Sequence, residues 1–337
     1  MRHVFGPVPS RRLGRSLGID PVPLKTCNFS CVYCQLGRTR PLVAKRKAFF
    51  SVSETVAEVA TMLDRLGAHS IDWITFVGSG ETTLNSRLGS LIGFVKKISE
   101  LPVAVITNGS LLCRPTVRKE LMAADAVLPT LAAGSETLFT TIHRPHRDFP
   151  FDQHVRGLLE FRQEYTGNLW VEVMLLAGVN DTPNAVVDIA KILERVVPDE
   201  IHISTPTRPP TEPWVEIPSR DVVRLAASTF GDIARVLEPV DVNVDTRVND
   251  ELIDAVLSVV SRHPLQEVEI VRMLSRWAPA RAQETLAALS DSGKIKVIER
   301  YGKLFWCAAD TRFPDQREAG TKRPDRPTRQ MTPSPSP

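Results

Sequence analysis

Three closely spaced cysteines are the residues of this chain whose types and spacing most clearly suggest chemistry. Cys27, Cys31 and Cys34 form a C-x3-C-x2-C set and are three of the five cysteines in 337 residues. Clustered thiolates bind zinc or an iron–sulfur cluster. A structural zinc site needs a fourth protein ligand, whereas a [4Fe-4S] cluster held by three cysteines leaves one iron open to a substrate or cosubstrate. The spacing therefore predicts a metal site of one of these two kinds.

Short β-rich runs alternate with segments of helical periodicity between residues 10 and 245. The runs are residues 16–20, 73–77, 103–107, 126–130, 169–176 and 200–204, with 240–244 as a further candidate. Such alternation predicts a parallel sheet, either open or rolled into a barrel. In both architectures the chemistry lies at the carboxyl ends of the strands, and the cysteine set follows the first run.

Helix signals stand between the runs. Ser51 followed by Glu54 forms a capping box ahead of apolar residues at helical spacing. Thr182 and Pro183 are typical of an N-cap and the first residue of a helix. These signals support the prediction that helices connect the strands.

Residues 249–307 have a different pattern. Predicted helices at 251–261, 266–275 and 281–290 precede a hairpin formed by 295–300 and 304–307. This is the outline of a winged helix-turn-helix. From Asp310 the composition shifts to Pro, Thr, Arg and Asp, which is typical of a disordered tail. We therefore expect an α/β domain at 1–245, a winged-helix-like domain at 246–309 and a disordered tail at 310–337.

The composition restricts the class of protein. Hydrophobic residues make up 42% of the chain and charged residues 24%, which is enough for a buried core. The 42 Lys and Arg against 39 Asp and Glu give a net charge of +3, which argues against binding nucleic acid over most of the surface. No apolar run reaches about 18 residues, and no apolar segment precedes the first arginines, so neither a membrane span nor a secretory signal is expected. Clustered cysteines in such a chain predict a reduced, cytoplasmic setting.

Two further polar segments follow predicted strands. Gly78 and Gly80 permit close approach of the backbone to a ligand and a positive φ, and Glu81 offers a carboxylate to an ammonium group. Thr107 and Asn108 are short polar groups suited to a ribose or a carboxylate. Each segment alone is also typical of an ordinary turn, with a helix N-cap in the first case.

Together these segments resemble the radical S-adenosylmethionine (SAM) superfamily. The cysteine set has the form C-x3-C-x-aromatic-C, residues 76–81 are similar to the family's glycine–glutamate motif, and residues 107–109 are similar to its TNG turn. Thr82 stands where the family commonly has proline. Residues 5–14 and 205–210 resemble a subgroup of uncharacterised iron–sulfur oxidoreductases related to the wybutosine tRNA-modifying enzymes. The resemblance covers residues 5–245.

The resemblance implies a partial (β/α)6, TIM-like barrel. Cys27, Cys31 and Cys34 would bind three irons of a [4Fe-4S] cluster, and the amino and carboxylate groups of SAM would bind the fourth. One electron would then cleave SAM to methionine and a 5′-deoxyadenosyl radical that abstracts hydrogen from the substrate. The residues expected to contact SAM are Tyr33, Gly78, Gly80, Glu81, Thr107, Asn108 and Ser135.

The expected partners are SAM and a one-electron donor such as flavodoxin or ferredoxin. The expected substrate is tRNA, another nucleic acid or an anionic small molecule. Cys113 and Cys307 are the cysteines outside the motif and are predicted to be buried, so a second cluster is not expected. No cysteine precedes Cys27, unlike in the archaeal wybutosine enzymes, which argues against a direct transfer of their reaction. The alternatives are an iron–sulfur redox sensor acting through the winged helix and a zinc-stabilised binding protein.

Basic residues suggest where a substrate would bind. Arg11, Arg12 and Arg15 lie near the predicted barrel mouth and Arg208 follows the sixth run, so they form either a salt-bridged surface or a site for phosphate or carboxylate. The polar segment 143–147 is either a lid or ordinary surface. In a winged helix, the third helix and the wing would face nucleic acid. This region has a basic tilt that Glu284, Asp291 and Glu299 interrupt, and its basic residues are Arg276, Arg281, Lys294, Lys296, Arg300 and Lys303. The alternative role for that region is protein docking or covering the substrate.

Overall fold

The computed structural model describes residues 3–238, 252–277, 279–311 and 313. The predicted run at 240–244 and the predicted boundary between residues 245 and 246 lie outside the described residues. So does most of the predicted tail at 310–337.

One eight-stranded sheet forms the frame of the N-terminal part of the chain, and its strands follow one another in chain order. The strands are β1 (Val4–Ser10), β2 (Gly14–Ile19), β3 (Trp73–Phe76), β4 (Val103–Thr107), β5 (Ala126–Pro129), β6 (Asn168–Met174), β7 (Glu200–Ser204) and β8 (Ala234–Val236). β1 pairs antiparallel with β2, and every later pair is parallel.

The six predicted runs are confirmed as β2 to β7, whereas β1 and β8 were not predicted. β1 contains Pro7 and Pro9, which normally argue against a strand. They are tolerated because β1 is an edge strand whose register shifts between Phe5 and Val8. β8 has only three residues, too few for an alternating pattern to be recognised.

Helices connect the parallel strands. They are α1 (Val52–Leu66), α2 (Leu88–Ile98), α3 (Pro115–Leu121), α4 (Glu136–His143), α5 (Phe151–Glu164), α6 (Pro183–Val196) and α7 (Arg220–Phe230). The predicted N-caps are confirmed, because the Ser51 hydroxyl accepts from the amide of Glu54 at 3.4 Å and the Thr182 hydroxyl accepts from the amide of Ala185 at 3.3 Å. Among the described residues, no helix is both long and apolar enough to cross a membrane.

The sheet is strongly curved. The rings of Trp73 on β3 and Trp170 on β6 meet edge to face with their centroids 5.6 Å apart. In a flat sheet these two strands would lie about 14 Å apart, because neighbouring strands are spaced by about 4.8 Å. The sheet therefore curls around the two tryptophans into a partial barrel. Leu13, in the turn between β1 and β2, is buried in the same interior cluster.

The C-terminal region has its own helices and sheet. They are α8 (Leu252–Val260), α9 (Glu267–Trp277) and α10 (Ala282–Asp291), with strands β9 (Leu265–Gln266), β10 (Ile295–Arg300) and β11 (Lys303–Ala308) in the order β10-β11-β9. Val256, Ile270 and Trp306 are buried in a separate apolar core. The three predicted helices and the predicted hairpin are confirmed as elements, and β9 is an addition. Their assignment to a winged helix stays a prediction.

This region packs against the barrel. Arg262, directly after α8, donates through Nε to Oδ2 of Asp20 at 2.9 Å, and both side chains are buried. Tyr301, at the tip of the β10–β11 hairpin, donates its hydroxyl to the carbonyl of Val215 at 3.0 Å. The neighbouring Arg300 also donates to barrel carbonyls. The hairpin tip, which a winged helix would present to nucleic acid, thus contacts the barrel.

Candidate active site

The cysteine loop directly follows β2 and is held by buried residues between the cysteines. Phe29 and Val32 are almost fully buried, while Cys27, Cys31 and Cys34 remain partly exposed. The alternation of buried apolar residues with cysteines anchors the loop in the core and leaves its cysteines partly exposed.

The C-terminal end of α4 supports the same loop. The amide of Val32 donates to the carbonyl of Ile142 at 2.9 Å, and the amide of Ser30 donates to the carbonyl of His143 at 3.0 Å. The predicted lid at 143–147 therefore begins with a residue that is 1% exposed and packs beneath the cysteines. Arg144 in this segment pairs with Glu212, whereas Arg147 is exposed.

Each cysteine sulfur lies close to a nitrogen. Cys27 accepts from the amide of Phe29 at 3.4 Å, and Cys34 accepts from Nζ of Lys25 at 3.3 Å. Sγ of Cys31 lies 3.3 Å from Nδ1 of His143. Nitrogen donors around cysteine sulfurs are the outer contacts that tune iron–sulfur clusters.

The ionisation of Cys27 and Cys31 is unfavourable in the protein alone. Burial raises the pKa of Cys27 to about 12, with a further contribution from the charge of Glu81. Burial also raises the pKa of Cys31, followed by the charges of Cys27 and Cys34. Bound iron would supply the compensating positive charge, so the donor set fits a metal cluster.

A single metal ion would require several side chains to converge on one point. Within the described parts of the chain, no group of three or more His, Cys, Asp or Glu side chains is arranged to hold one ion. In a [4Fe-4S] cluster each thiolate binds a separate iron, so the three sulfurs need not converge on one point.

Glu81 lies at the centre of a buried hydrogen-bond network. It is 2% exposed, and it accepts from the amide of Asn108 at 2.7 Å and from the hydroxyl of Thr107 at 2.5 Å. It also accepts from the amide of Thr83 at 3.0 Å and from the Thr83 hydroxyl, so it is an N-cap as well. Burial raises the pKa of Glu81 although these donors oppose the change. Among the described residues, no Lys or Arg side chain pairs with this carboxylate.

Asn108 connects this network to the cysteine loop. Its backbone amide bonds to Glu81, while its Nδ2 donates to Oδ1 of Asn28 at 2.8 Å and approaches Sγ of Cys27 at 3.8 Å. The following Gly109 has φ +79°, a conformation that favours glycine. The predicted residues Glu81, Thr107, Asn108 and Cys27 are thus brought together.

Gly78 and Gly80 pack closely against other parts of the protein. Neither has a positive φ, and the space for a Cβ is filled by protein and not by a ligand cavity. A Cβ on Gly78 would overlap the carboxylate of Asp20, and a Cβ on Gly80 would overlap the carbonyl of Thr26. This packing fills the side of each glycine on which a Cβ would stand, and the expected contact of the two glycines with SAM stays a prediction. They allow the Glu81 loop to pack against the segment that leads to the cysteines.

Tyr33 and Ser135 occupy less direct positions. The Tyr33 ring contacts the His143 ring edge to face at a centroid distance of 6.0 Å. Burial raises the pKa of Tyr33, followed by the charges of Cys31 and Glu172. The Ser135 hydroxyl caps α4 by accepting from the amide of Leu138 at 3.4 Å.

The predicted arginine cluster is divided. Arg15 is exposed and pairs with Asp72 at 2.8 Å, so it belongs to a salt-bridged surface. Arg12 is partly buried, with 10% of its side chain exposed, and pairs with Glu172 inside the barrel. Arg208 pairs with Glu269 of the C-terminal region at 2.8 Å. Its side chain joins the two parts of the chain.

The other cysteines differ in burial. Cys307 is fully buried, as predicted. Cys113 is only partly buried, because it follows the turn after β4 and its Sγ faces the carbonyl of Ser110 at 3.5 Å and Gln153 at 3.9 Å. The prediction of burial is therefore wrong for this residue.

Sequence reasoning missed several residues around the site. Asp20 accepts from the amide and hydroxyl of Ser79 and from Arg262, and Lys25 and His143 contact cysteine sulfurs. Asp20 was recognisable only as the polar end of the first run. His143 was predicted only as part of a lid or ordinary surface at 143–147, and nothing in the local pattern marks Arg262, since the partners of both residues are distant in sequence.

Comparisons with known proteins agree with this geometry. Residues 22–193 match the model of the radical SAM superfamily. The UPF0026 protein MJ1312 of Methanocaldococcus jannaschii is 32% identical over 311 residues, which cover 91% of this chain and 96% of that protein. A protein of Brachyspira hyodysenteriae named GTPase Obg is 36% identical over 302 residues, which cover 88% of this chain and 43% of the length of that relative.

A solved structure is also similar in part. The radical SAM methyltransferase from Sphaerobacter thermophilus is 18% identical, with a TM-score of 0.49 over 66% of this chain and 65% of that one. The family match and the extended similarity to the archaeal protein decide the assignment. The chain belongs to the radical SAM superfamily and is an enzyme of that class, whose members use a [4Fe-4S] cluster and SAM.

Proposed function

We propose that this enzyme binds one [4Fe-4S] cluster through Cys27, Cys31 and Cys34 and reductively cleaves SAM. When bound, the cluster and SAM supply an electron and a 5′-deoxyadenosyl radical that abstracts hydrogen from the substrate. The chain's own residues hold the cofactors, orient them and exclude water. Such a cluster with free thiols is compatible with a reduced, cytoplasmic setting.

The observation that carries this proposal is the hydrogen-bonded path from Glu81 to Cys27 through Asn108. The Asn108 amide holds one oxygen of Glu81 at 2.7 Å, and its Nδ2 approaches Cys27 at 3.8 Å. A ligand that binds both the carboxylate and an iron beside the cysteines would have to span these two groups. SAM has the ammonium group and the iron-binding carboxylate that such a ligand needs.

Glu81 is suited to hold the ammonium of SAM. Its four hydrogen bonds come from Thr83, Thr107 and Asn108 and fix the position of the carboxylate. Its burial raises its pKa, so a neighbouring cation would stabilise the ionised form. Tyr33 and Ser135 would line the path of the nucleoside, while Gly78 and Gly80 position the loop.

The C-terminal region is proposed to be a winged helix that covers the barrel. Three helices and a three-stranded antiparallel sheet support this assignment. Its hairpin contact through Tyr301 favours docking on the barrel over presentation of the hairpin to nucleic acid. A flavodoxin or ferredoxin as electron donor and a tRNA or anionic small molecule as substrate stay proposals. No observation favours the redox-sensor alternative.

The test is anaerobic reconstitution with iron and sulfide, followed by reduction with dithionite and addition of SAM. We expect four irons per chain, the absorption of a [4Fe-4S] cluster and formation of 5′-deoxyadenosine. Cys31→Ala should lose cluster-bound iron and all product. Cys113→Ala is the matched control, since its sulfur contacts Ser110 and Gln153 outside the cysteine loop.

Product from Cys31→Ala, or a cluster of unchanged iron content in that variant, would contradict the proposal. An intact cluster that neither binds nor cleaves SAM would contradict the assignment of Glu81 and restore the sensor hypothesis. If SAM binds but is not cleaved, the substrate must be present to start the cleavage.

A further inference from the structure

Two arginines occupy the gap between the edge strands of the partial barrel. Arg11 directly follows β1, and its Nη1 lies 3.5 Å from the carbonyl of Leu237, directly after β8. The next residue, Arg12, extends into the interior and pairs with Glu172 on β6. The first residue therefore lies at the opening of the barrel and the second lies inside it.

Three of the arginines in this part of the molecule have a carboxylate of their own. These ion pairs are Arg12–Glu172, Arg208–Glu269 and Arg262–Asp20. Arg11 differs from them, because in the described part of the chain no carboxylate lies within ion-pair distance of its guanidinium. Of these four arginines, Arg11 is therefore the one without a paired carboxylate among the described residues.

The surroundings of Arg11 make its charge costly. Burial lowers the pKa of Arg11, and the charge of Arg12 lowers it further, while Glu172 only partly opposes the change. Burial, followed by the charges of Arg208, Arg262 and Arg11, also lowers the pKa of His263 to about 3, so that ring stays neutral. Among these neighbours, Glu172 is the group that opposes the change, and it is already paired with Arg12.

A partly buried cation without a counterion destabilises a fold unless something else binds it. A guanidinium presents a planar set of donors that matches the two oxygens of a carboxylate or phosphate. The Arg12–Glu172 pair is held further by Ser204, whose hydroxyl donates to Glu172 at 2.7 Å. That pair forms a rigid wall on the inner side of the opening.

We propose that Arg11, positioned beside the Arg12–Glu172 pair, binds an oxyanion group of the substrate, a carboxylate or a phosphate, at the opening of the barrel. This inference rests on the proposed function, because it assigns the substrate end of the same site. The carboxylate of SAM is not the ligand meant here. The residues proposed for SAM lie at or after the carboxyl ends of β2 to β5, whereas Arg11 lies between β1 and β8.

The test compares the reconstituted wild type with Arg11→Met, Arg11→Lys and Arg15→Met. Arg15 is the matched control because its guanidinium is exposed and already paired with Asp72 at 2.8 Å. The melting temperature is measured in chloride, and then with inorganic phosphate or acetate substituted at constant ionic strength. Equilibrium dialysis measures the SAM affinity of each variant.

We expect phosphate or acetate to raise the melting temperature of the wild type and of Arg15→Met by about 2 °C or more. Arg11→Met should not respond, and without added anion it should melt at or above the wild type because it lacks the unpaired buried charge. Arg11→Lys keeps the charge but not the planar fork, so its response should be weaker. A response to phosphate alone would assign a phosphate group, and a response to acetate alone a carboxylate.

Several outcomes would overturn the proposal. These are no response of the wild type to either anion, an undiminished response in Arg11→Met, or a strong loss of stability in Arg11→Met without anion. Should Arg11→Met fail to fold, Arg11→Lys provides the test. A full rise of its melting temperature with the anion would show that the planar guanidinium of Arg11 is not needed for binding. A fall in SAM affinity in the Arg11 variants would show that Arg11 binds SAM and not the substrate. None of these measurements requires SAM cleavage, so failure of the proposed function would be seen separately.

Discussion

Glu81 and Arg11 are buried or partly buried charges at two sides of the same barrel, and they are built in different ways. Glu81 lacks a basic partner and Arg11 lacks an acidic one among the described residues. Glu81 accepts four hydrogen bonds from residues near the ends of neighbouring strands. Arg11 has one long hydrogen bond, to a residue 226 positions away.

This contrast separates two requirements of the site. The Glu81 side is rigid, and its residues come from short motifs, as expected for binding a cosubstrate that every enzyme of the family uses. The Arg11 side is assembled from both edges of the sheet and from the C-terminal region, which is where substrate specificity would reside under our proposals. Variants that affect one side and not the other can test whether this division is real.

The largest expected effect comes from breaking the ion pair between Arg262 of the C-terminal region and Asp20 of the barrel. The side chains of Arg262 and Asp20 are 8% and 4% exposed. Arg262→Met removes the cation of this pair and leaves the buried carboxylate of Asp20, which also accepts hydrogen bonds from Ser79. We expect a loss of about 3 to 5 kcal/mol in the free energy of unfolding, measured by urea denaturation. Arg224→Met, which breaks an exposed pair with Asp221, should change stability by less than about 0.5 kcal/mol. Equal effects in the two variants would show that the buried pair is unimportant.

Gly80→Ala should disturb the Glu81 side alone. A Cβ at this position overlaps the carbonyl of Thr26, so the loop must shift, at a cost of about 1 to 3 kcal/mol. Gly93→Ala in α2 is the control, because a Cβ there meets nothing within 4 Å and alanine favours a helix by about 1 kcal/mol. Unfolding by urea measures both. A Gly80→Ala protein as stable as the wild type would contradict the packing role.

Glu81→Gln removes the charge and keeps the shape. If the carboxylate holds the ammonium of SAM, the affinity for SAM should fall by about 2 kcal/mol, or about 30-fold, in equilibrium dialysis. Glu164→Gln is the control, since Glu164 is half exposed and pairs with Arg118. The anion response assigned to Arg11 should be unchanged in both variants. An unaltered SAM affinity would remove Glu81 from the site.

The smallest effect is expected from Lys25→Met. Nζ of Lys25 donates to Cys34 at 3.3 Å and to the carbonyl of Gly37 at 2.6 Å, so its charge would stabilise the reduced cluster. Losing it should lower the reduction potential of the cluster, as measured by a redox titration followed by EPR. The exposed Lys45 provides the control as Lys45→Met. Identical potentials in the two variants would show that the Lys25 contact does not tune the cluster.

Much of the fold follows from local patterns that do not depend on distant contacts. The apolar runs that became β2 to β7 are buried on the sheet, and Ser51 and Thr182 cap helices as their sequences indicate. β1 was missed because its prolines are tolerated only at an edge of the sheet. The positions of Gly78 and Gly80 were identified, but their neighbours Asp20 and Thr26 were not, since contacts between loops are not encoded in periodicity.

The spacing of the cysteines, the glycine–glutamate segment and the TNG turn were sufficient to indicate the family, because each is a short segment whose chemistry depends on neighbouring residues. Burial and the pairing of charges were not accessible in the same way. Arg11, Arg12 and Arg15 are almost adjacent in sequence. Within the described ranges, however, Arg11 has no acidic partner at the opening, Arg12 is paired inside the barrel and Arg15 is paired at the surface. Their different environments arise from the curvature of the sheet and from the packing of the C-terminal region, which bring together residues that no local pattern connects.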